Sequence, residues 1–299
     1  ATPAAASAGV PAADTVVLRD DLDRTVRLAG PPGRIVSLVP AATELLFALG
    51  AGDRVVGRTR YGVHPPAARE VPSVGQGLRP SLELVTERRP DLVLVFAGPE
   101  SRGTADRLAS LGAPALAVEL NTFKDLERNV RRLGRLTRRD EAAARLLDRI
   151  DCRLRQVARA VAGAPRPRVY YEVWSDPAVT VGRGSYLDSL LRVAGARNVF
   201  GDLEAPSPRV GLESVAARDP DLVLVPRRRG GSGARPARRP GWEAVPAVRE
   251  GRVRAVDGDL VHRLGPRVGE AARALAEVLH PDRISVLREL DPDACPAAP

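Results

Sequence analysis

One pattern of residues occurs twice in this chain. The two copies lie at residues 82–95 and 212–225, and each contains the run Pro-Asp-Leu-Val-Leu-Val after a short Leu-Glu-x-Val segment. Glu83 and Glu213 each stand eight residues before the Asp of that run. A helical segment followed by a buried strand, repeated once, predicts two similar lobes. Two lobes enclose a cleft, which is where proteins ordinarily bind a small molecule.

Apolar runs bounded by Pro and Gly alternate with helical patterns in both halves of the chain. The first half has predicted strands at 34–39, 55–57, 90–96 and 115–118, and helices at 43–49 and 105–111. The second half has predicted strands at 168–173, 223–225 and 252–256, and helices at 184–195 and 269–279. Thr43 and Ser185 are the predicted helix caps. This alternation predicts an α/β fold with a doubly wound, mainly parallel sheet in each lobe.

A long amphipathic segment separates the two halves. Apolar residues recur at helical spacing from 140 to 161, with Arg and Asp on the other face. A helix of about 22 residues is about 33 Å long, enough to cross a domain, and a single strut permits little hinge bending. The predicted organisation is a flexible stalk (1–14), an N-terminal α/β lobe (15–136), a linking backbone helix (137–164), a C-terminal α/β lobe (165–290) and a tail (291–299).

Charge and composition exclude several classes of protein. The net charge is +9, and Lys124 is the only Lys, so the excess is Arg spread along the chain. The densest basic stretch, 227–239, has Gly and Pro but no aromatic stacking partners, which favours a solvated loop over nucleic-acid binding. No apolar run is long enough to span a bilayer. The Ala-, Pro- and Ser-rich start is typical of a stalk left after leader removal, or of an artificial start. A removed leader would imply a periplasmic or extracellular protein, either free or tethered to the membrane through the removed N-terminus.

Few residues suggest catalysis or metal binding. Cys152 and Cys295 fit no metal spacing; they would pair only in an oxidising compartment, and the sequence leaves both states open. The three histidines, His64, His262 and His280, have no nucleophile partner and no zinc spacing. His64 is the one candidate metal ligand, with an ordinary loop position as the alternative. The sequence therefore predicts a non-enzymatic protein, and an α/β enzyme using the cleft is the less favoured reading.

Three aromatic residues stand just beyond predicted strands. They are Tyr61, Phe96 and Trp174. Rings in such loops would line a cleft that takes a flat or macrocyclic ligand, unless they only pack the loops. Glu83 and Glu213 suit the positive ends of their helices. Their recurrence in both halves favours a further role, docking onto a two-fold symmetric partner.

Residues 34–44 resemble the opening of a known family, the substrate-binding proteins for vitamin B12 and ferric siderophores. These proteins serve ABC importers and have the class III fold, with two lobes on a long backbone helix. The likeness covers about residues 34–281. It continues at Gly57-Arg58-Thr59-Arg60-Tyr61, Pro65-Pro66, Pro80-Ser81-Leu82-Glu83, Pro90-Asp91-Leu92-Val93-Leu94, Asp176-Pro177, Thr180, Gly182, Gly195, Asn198-Val199-Phe200 and Gly265-Pro266-Arg267.

The resemblance implies roles for particular residues. It implies a ligand site formed by Pro40, Ala41, Tyr61, Phe96, Asp259 and Arg263. Trp174 is added to this site because it stands just beyond a predicted strand. Glu83 and Glu213 match carboxylates that bind arginines on a dimeric permease with its ATPase. The expected binding protein is a monomer without a cofactor or a nucleic-acid partner.

The expected ligand is cobalamin, with haem or a ferric siderophore as alternatives. The chain departs from the B12 receptors at Gly77, Val179 and Ser207, where those proteins carry large aromatic rings. Trp174 and Tyr170 would compensate for the loss of these rings. For an anionic ligand, the candidate arginines are Arg58, Arg60, Arg183, Arg209 and Arg263.

Overall fold

The structure is a computed structural model that describes residues 15–227, 239–290 and 294–295. The predictions for the stalk (1–14), for most of the basic stretch (228–238) and for all of the tail except 294–295 lie outside the described residues. The described chain divides into two compact units. One unit holds the residues up to Glu119 together with 132–140, and the other holds 120–131 and the residues from Glu141 onward.

The first unit is built on a four-stranded parallel sheet. A hairpin of β1 (Val16–Arg19) and β2 (Thr25–Leu28) precedes it. The sheet order is β4-β3-β5-β6. Its elements are β3 (Ile35–Ser37), α1 (Pro40–Ala48), β4 (Val55–Arg58), α2 (Leu82–Glu87), β5 (Leu92–Phe96), α3 (Ser101–Ser110) and β6 (Ala115–Val118). Strands β3, β5 and β6 are almost wholly buried, as expected where helices cover both faces of a parallel sheet.

Two helices follow the first sheet. They are α4 (Phe123–Thr137), which crosses the division between the units, and α5 (Asp140–Ala160). Helix α5 is continuous over the segment that the apolar spacing predicted, and it buries Leu146, Ile150 and Val157. All of α5 except Asp140 belongs to the second unit. The lobe bounds given above, with a linking helix at 137–164, stay a prediction.

The second unit repeats the scheme with the sheet order β10-β7-β11-β12, again parallel. Its strands are β7 (Arg168–Tyr171), the short hairpin β8 (Trp174–Ser175) and β9 (Ala178–Val179), β10 (Arg197–Asn198), β11 (Leu222–Arg227) and β12 (Val253–Asp257). Its later helices are α6 (Tyr186–Val193), α7 (Leu212–Ala217), α8 (Pro246–Arg249), α9 (Gly258–Val261), α10 (Val268–Leu279) and α11 (Ile284–Arg288). No helix among the described residues has the length and apolar character needed to cross a membrane.

The sequence repeat is also a structural repeat. Each copy forms a six-residue helix, α2 or α7, followed by a central strand, β5 or β11. The Asp91 carboxylate accepts hydrogen bonds from the backbone N–H groups of Gly33 and Arg34 at 2.8 and 2.9 Å. Asp221 accepts from the backbone N–H of Arg168 at 2.7 Å. The aspartate of each copy thus fixes the amino end of the neighbouring strand, β3 or β7.

One predicted helix cap is confirmed and the other is wrong. The Ser185 hydroxyl accepts from the N–H of Asp188 at 3.1 Å, as an N-cap does. Helix α1, however, begins at Pro40, because Pro lacks the N–H that a first helical residue would leave unpaired. Thr43 lies inside α1 and is buried, and its hydroxyl donates to the hydroxyl of Ser37 at 2.9 Å.

Cys152 and Cys295 form a disulfide, which the sequence left open. Their Cα atoms are 5.8 Å apart, across 143 residues of sequence. Cys152 lies on α5, so the bond ties the C-terminal segment to that helix. The buried position of Cys295 therefore depends on a covalent link near the end of the chain.

Candidate functional site

Four predicted ligand-lining residues lie at the carboxyl edge of the first unit's sheet. Pro40 and Ala41 open α1 directly after β3. Tyr61 follows the end of β4 by three residues, and Phe96 is the last residue of β5. Because these strands are parallel, their carboxyl ends share one edge, which is where open α/β sheets bind ligands.

Tyr61 has the most exposed ring at this edge. Its side chain is 48% exposed. The Tyr61 hydroxyl accepts a hydrogen bond from Arg60 at 2.8 Å, and the Arg60 guanidinium carbon lies 5.0 Å from the ring centroid. The cation lies over one face of the ring and is attracted to it. The ring and the guanidinium together offer a flat apolar surface beside a positive charge.

Gly77 explains one departure from the B12 receptors. A Cβ atom at this position would lie 2.4 Å from the carbonyl oxygen of Leu38, the residue just after β3. Real side chains do not reach so close to a backbone oxygen, so this backbone path admits only glycine. Position 77 therefore has no place for a ring without a shift of the loop.

The second unit has its own exposed ring at the carboxyl edge. Trp174 follows the end of β7 and begins the β8–β9 hairpin, with Val179 as its cross-strand partner. The indole N–H of Trp174 donates to the carbonyl of Asp176 at 2.9 Å, and the side chain is 52% exposed. The hairpin thus fixes a ring that is not buried.

Asp259 and Arg263 lie at the same edge of the second unit, on and just after α9. This helix follows β12, and Asp257 caps it by accepting from the backbone N–H of Asp259 at 2.9 Å. The Arg263 guanidinium lies 3.7 Å from the Asp259 carboxylate, one helical turn away. The structure therefore brings Trp174, Asp259 and Arg263 to one edge of one sheet.

The sequence did not reveal a tyrosine–histidine pair that lies at this edge. The Tyr171 hydroxyl and His262 Nε2 lie 2.9 Å apart, and the Tyr186 hydroxyl donates to the carbonyl of Val261 at 3.2 Å. Burial raises the pKa of Tyr186 above its ordinary value, so this phenol stays a proton donor. These bonds hold α9 in place. The pair joins residues 91 positions apart, so no local sequence signal points to it.

Tyr170 does not compensate for the missing rings, contrary to expectation. It is fully buried, and its ring centroid lies 6.0 Å from that of Phe200 and 5.8 Å from that of Trp242. Successive residues of a strand face opposite sides, so Tyr170 packs into the core. Burial and the nearby Glu172 raise its pKa, which Arg239 partly opposes.

Arg58 is also unsuited to an anionic ligand. The side chain is buried, and its guanidinium donates to three backbone carbonyls, those of Thr59, Ala68 and Arg69, at 2.7–3.0 Å. It fixes the loop after β4. By contrast, Arg60, Arg183 and Arg209 are exposed.

Glu83 and Glu213 occupy equivalent exposed positions. Each is the second residue of its helix, α2 or α7. Within 15–227, 239–290 and 294–295, no basic group lies within ion-pair distance of either carboxylate. The same part of the chain holds no group of three His, Cys, Asp or Glu suited to a metal ion, and His64 is half-buried in the loop after β4.

Comparison with known proteins agrees with this geometry. The family model described as periplasmic binding protein matches residues 35–260. The chain is 30% identical over 275 residues to YvrC of Bacillus subtilis, an uncharacterized ABC transporter substrate-binding lipoprotein, covering 89% of this chain and 86% of that one. It is 27% identical to the vitamin B12-binding protein of Vibrio cholerae, covering 83% and 90%.

Solved structures share the fold as well. A periplasmic haem-binding protein from Pseudomonas aeruginosa aligns with a TM-score of 0.71 and 28% identity, over 84% of this chain and 93% of that one. The family match spans three quarters of the chain, and both sheets with their carboxyl-edge loops lie within it or adjoin it. The chain belongs to the periplasmic binding protein family and has the class III fold of its substrate-binding proteins.

Proposed function

We propose that this protein captures a corrinoid, a vitamin B12-like macrocycle, outside the cytoplasm and delivers it to the permease of an ABC importer. Proteins of this family bind substrates for transport and are not enzymes. The vitamin B12-binding protein of Vibrio cholerae is among the relatives, which supports the choice of ligand.

The observation that carries the proposal is the exposure of two rings. Among the described residues, Tyr61 and Trp174 are the only aromatic residues that are about half exposed. Each stands at the carboxyl edge of its own unit's parallel sheet. A large planar ligand can stack on the exposed face of such a ring. A corrinoid has the flat, mostly apolar faces that such rings fit.

Haem is the second candidate. Arg60 lies against Tyr61, so a guanidinium stands beside the ring where a haem propionate would need a partner. The relative from Pseudomonas aeruginosa is a haem-binding protein. A ferric siderophore is the remaining alternative, and the same exposed Arg60 would serve an anionic siderophore.

Calorimetric titration with cyanocobalamin tests the proposal. Replacing both rings (Tyr61→Ala with Trp174→Ala) removes stacking worth roughly 0.5–1.5 kcal/mol per ring, so affinity should fall about tenfold or more. The matched control is Leu111→Ala with Val286→Ala, which removes exposed apolar side chains from both units. The control should bind like the wild type.

Absorption spectra separate the two ligands. Protein purified from its own host should carry corrinoid bands rather than the Soret band of haem. If the wild type binds haem tightly and cyanocobalamin not at all, the corrinoid assignment is wrong and haem replaces it.

We further propose that Glu83 and Glu213 dock the loaded protein, as a monomer, onto a dimeric permease with its ATPase. Their equivalent exposed positions in the two copies of the repeat support this role. The lipoprotein name of the Bacillus subtilis relative supports a membrane-tethered form.

A further inference from the structure

A basic cavity lies in the second unit, and of the candidate solute-binding residues it shares only Arg183. It has a volume of about 800 Å³, within the range of small-molecule pockets. It lies beside β10, the edge strand of the sheet, and reaches the amino end of β7, whereas the solute residues lie at the carboxyl ends. Six arginines line it: Arg166, Arg168, Arg183, Arg192, Arg197 and Arg218.

The two carboxylates in the lining are already paired. Asp188 accepts from Arg192 at 2.5 Å. Asp202 accepts two hydrogen bonds from Arg218, both at 2.8 Å. Hydrogen bonds from Arg218 lower the pKa of Asp202, which therefore stays ionised. These two pairs neutralise two of the six arginines. Arg183, a third, lies 3.7 Å from the exposed Glu204.

The remaining three arginines have no acidic partner for their guanidinium groups among the described residues. They are Arg166, Arg168 and Arg197. One guanidinium nitrogen of Arg166 donates to the carbonyl of Ala196 at 3.2 Å, and one of Arg168 donates to the carbonyl of Arg218. Backbone carbonyls thus position these groups without cancelling their charge, and other N–H groups of each are left for a ligand.

Two of these arginines are also direct neighbours across the sheet. Arg197 on β10 stands opposite Arg168 on β7. Like charges in that position destabilise a sheet. One or two charged residues on an edge strand would suffice to prevent unwanted strand pairing. That function does not account for six arginines around one cavity.

We propose that this cavity binds a phosphate-bearing anion with at least two negative charges. The planar fork of a guanidinium matches phosphate oxygens in pairs, and three uncompensated arginines suit a multiply charged group better than a single carboxylate. The phosphate belongs either to a free oligophosphate or to a phospholipid head group, and the two sources are distinguished by experiment.

The test uses the full-length protein and two probes. Sodium pyrophosphate is titrated by calorimetry, and vesicles of phosphatidylcholine with phosphatidic acid are used in flotation. Arg166→Ser with Arg197→Ser removes two uncompensated charges from the cavity. Arg107→Ser with Arg135→Ser removes two exposed arginines from the first unit and matches the change in net charge.

We expect saturable binding of one of the probes. Charge-assisted hydrogen bonds are the strong ones, so the cavity variant should bind about tenfold or more weakly, while the control variant binds like the wild type. Pyrophosphate binding lost in the cavity variant identifies a free oligophosphate. Vesicle binding lost in that variant, without pyrophosphate binding, identifies a head group. The proposal is overturned if neither probe binds, or if both variants weaken binding equally. The cyanocobalamin titration is independent of either result.

Discussion

Asp20 shows how much of the first unit depends on one carboxylate. The side chain is buried and accepts five hydrogen bonds, from the backbone N–H groups of Leu22, Arg24 and Ala117 and from two nitrogens of the Arg24 guanidinium. It thereby joins the β1–β2 turn to β6. Burial alone would raise the pKa of Asp20, but the hydrogen bonds from Arg24 and the backbone outweigh it and lower the pKa below its ordinary value.

The Asp20→Asn variant should therefore be less stable than the wild type by roughly 2–3 kcal/mol at pH 7, since it loses a buried carboxylate charge and leaves Arg24 with the exposed Asp106 as its remaining ion-pair partner. Because the folded pKa lies below the unfolded one, the contribution is complete above the unfolded value. It is lost as the pH falls from about 5 through the folded pKa. Urea denaturation at several pH values measures both effects.

Asp23→Asn is the control, because it changes a carboxylate of the same turn whose side chain is 87% exposed. It should stay within about 0.5 kcal/mol of the wild type. Equal stability of the two variants at pH 7 would refute the role given to Asp20.

Among the connections between elements, the disulfide is a covalent one, joining Cys295 to α5. It closes a loop of 143 residues between α5 and Cys295. A cross-link of that span removes much of the entropy of the unfolded chain. Replacing both cysteines by Ser should lower the free energy of unfolding by roughly 2–4 kcal/mol.

Guanidinium denaturation of the wild type with and without a reductant provides a second measurement of the same quantity. The reduced wild type should match the double variant, and the reductant should leave the variant unchanged. If the variant is as stable as the oxidised wild type, the bond contributes nothing to the fold.

Patterns of single elements were predictable, whereas contacts between distant segments were not. The runs that became β5 and β6 and the spacing that became α5 are local, and the structure has them nearly where the sequence indicates. Tyr170 and Tyr171 are adjacent and both fully buried, yet Tyr170 packs against Phe200 and Trp242 whereas Tyr171 contacts His262. Their difference depends on which face of β7 each occupies, and that register is set by residues far along the chain.

The residues of the candidate site also differ in whether the local sequence could predict their positions. Tyr61 and Trp174 were predictable as rings just after strands, because parallel strands end at one edge. Arg58 was not, since its three carbonyl partners come from a loop whose path the sequence does not reveal. The sequence suggested that Gly77 had replaced an aromatic residue. The structure shows that a Cβ atom at this position would lie too close to the Leu38 carbonyl oxygen, so the position requires glycine.

For the whole molecule, the repeat is the feature with the widest consequence. Glu83 and Glu213 sit at equivalent points of two helix–strand copies, exposed and without a basic partner among the described residues. Reversing both charges (Glu83→Arg with Glu213→Arg) should abolish uptake, while cyanocobalamin affinity and the melting temperature stay nearly unchanged. Transport in reconstituted vesicles, calorimetry and thermal melts measure the three quantities.

Single reversals should mainly slow association with the permease and make it more sensitive to salt, because exposed charges at the rim of an interface steer encounter more than they hold the complex. Glu70→Arg with Glu243→Arg is the matched control, since it reverses one exposed carboxylate in each unit away from the helices of the repeat. It should transport like the wild type. If reversing Glu83 and Glu213 instead weakens solute binding and spares transport, these carboxylates belong to the solute site or to helix capping, and the docking proposal is wrong.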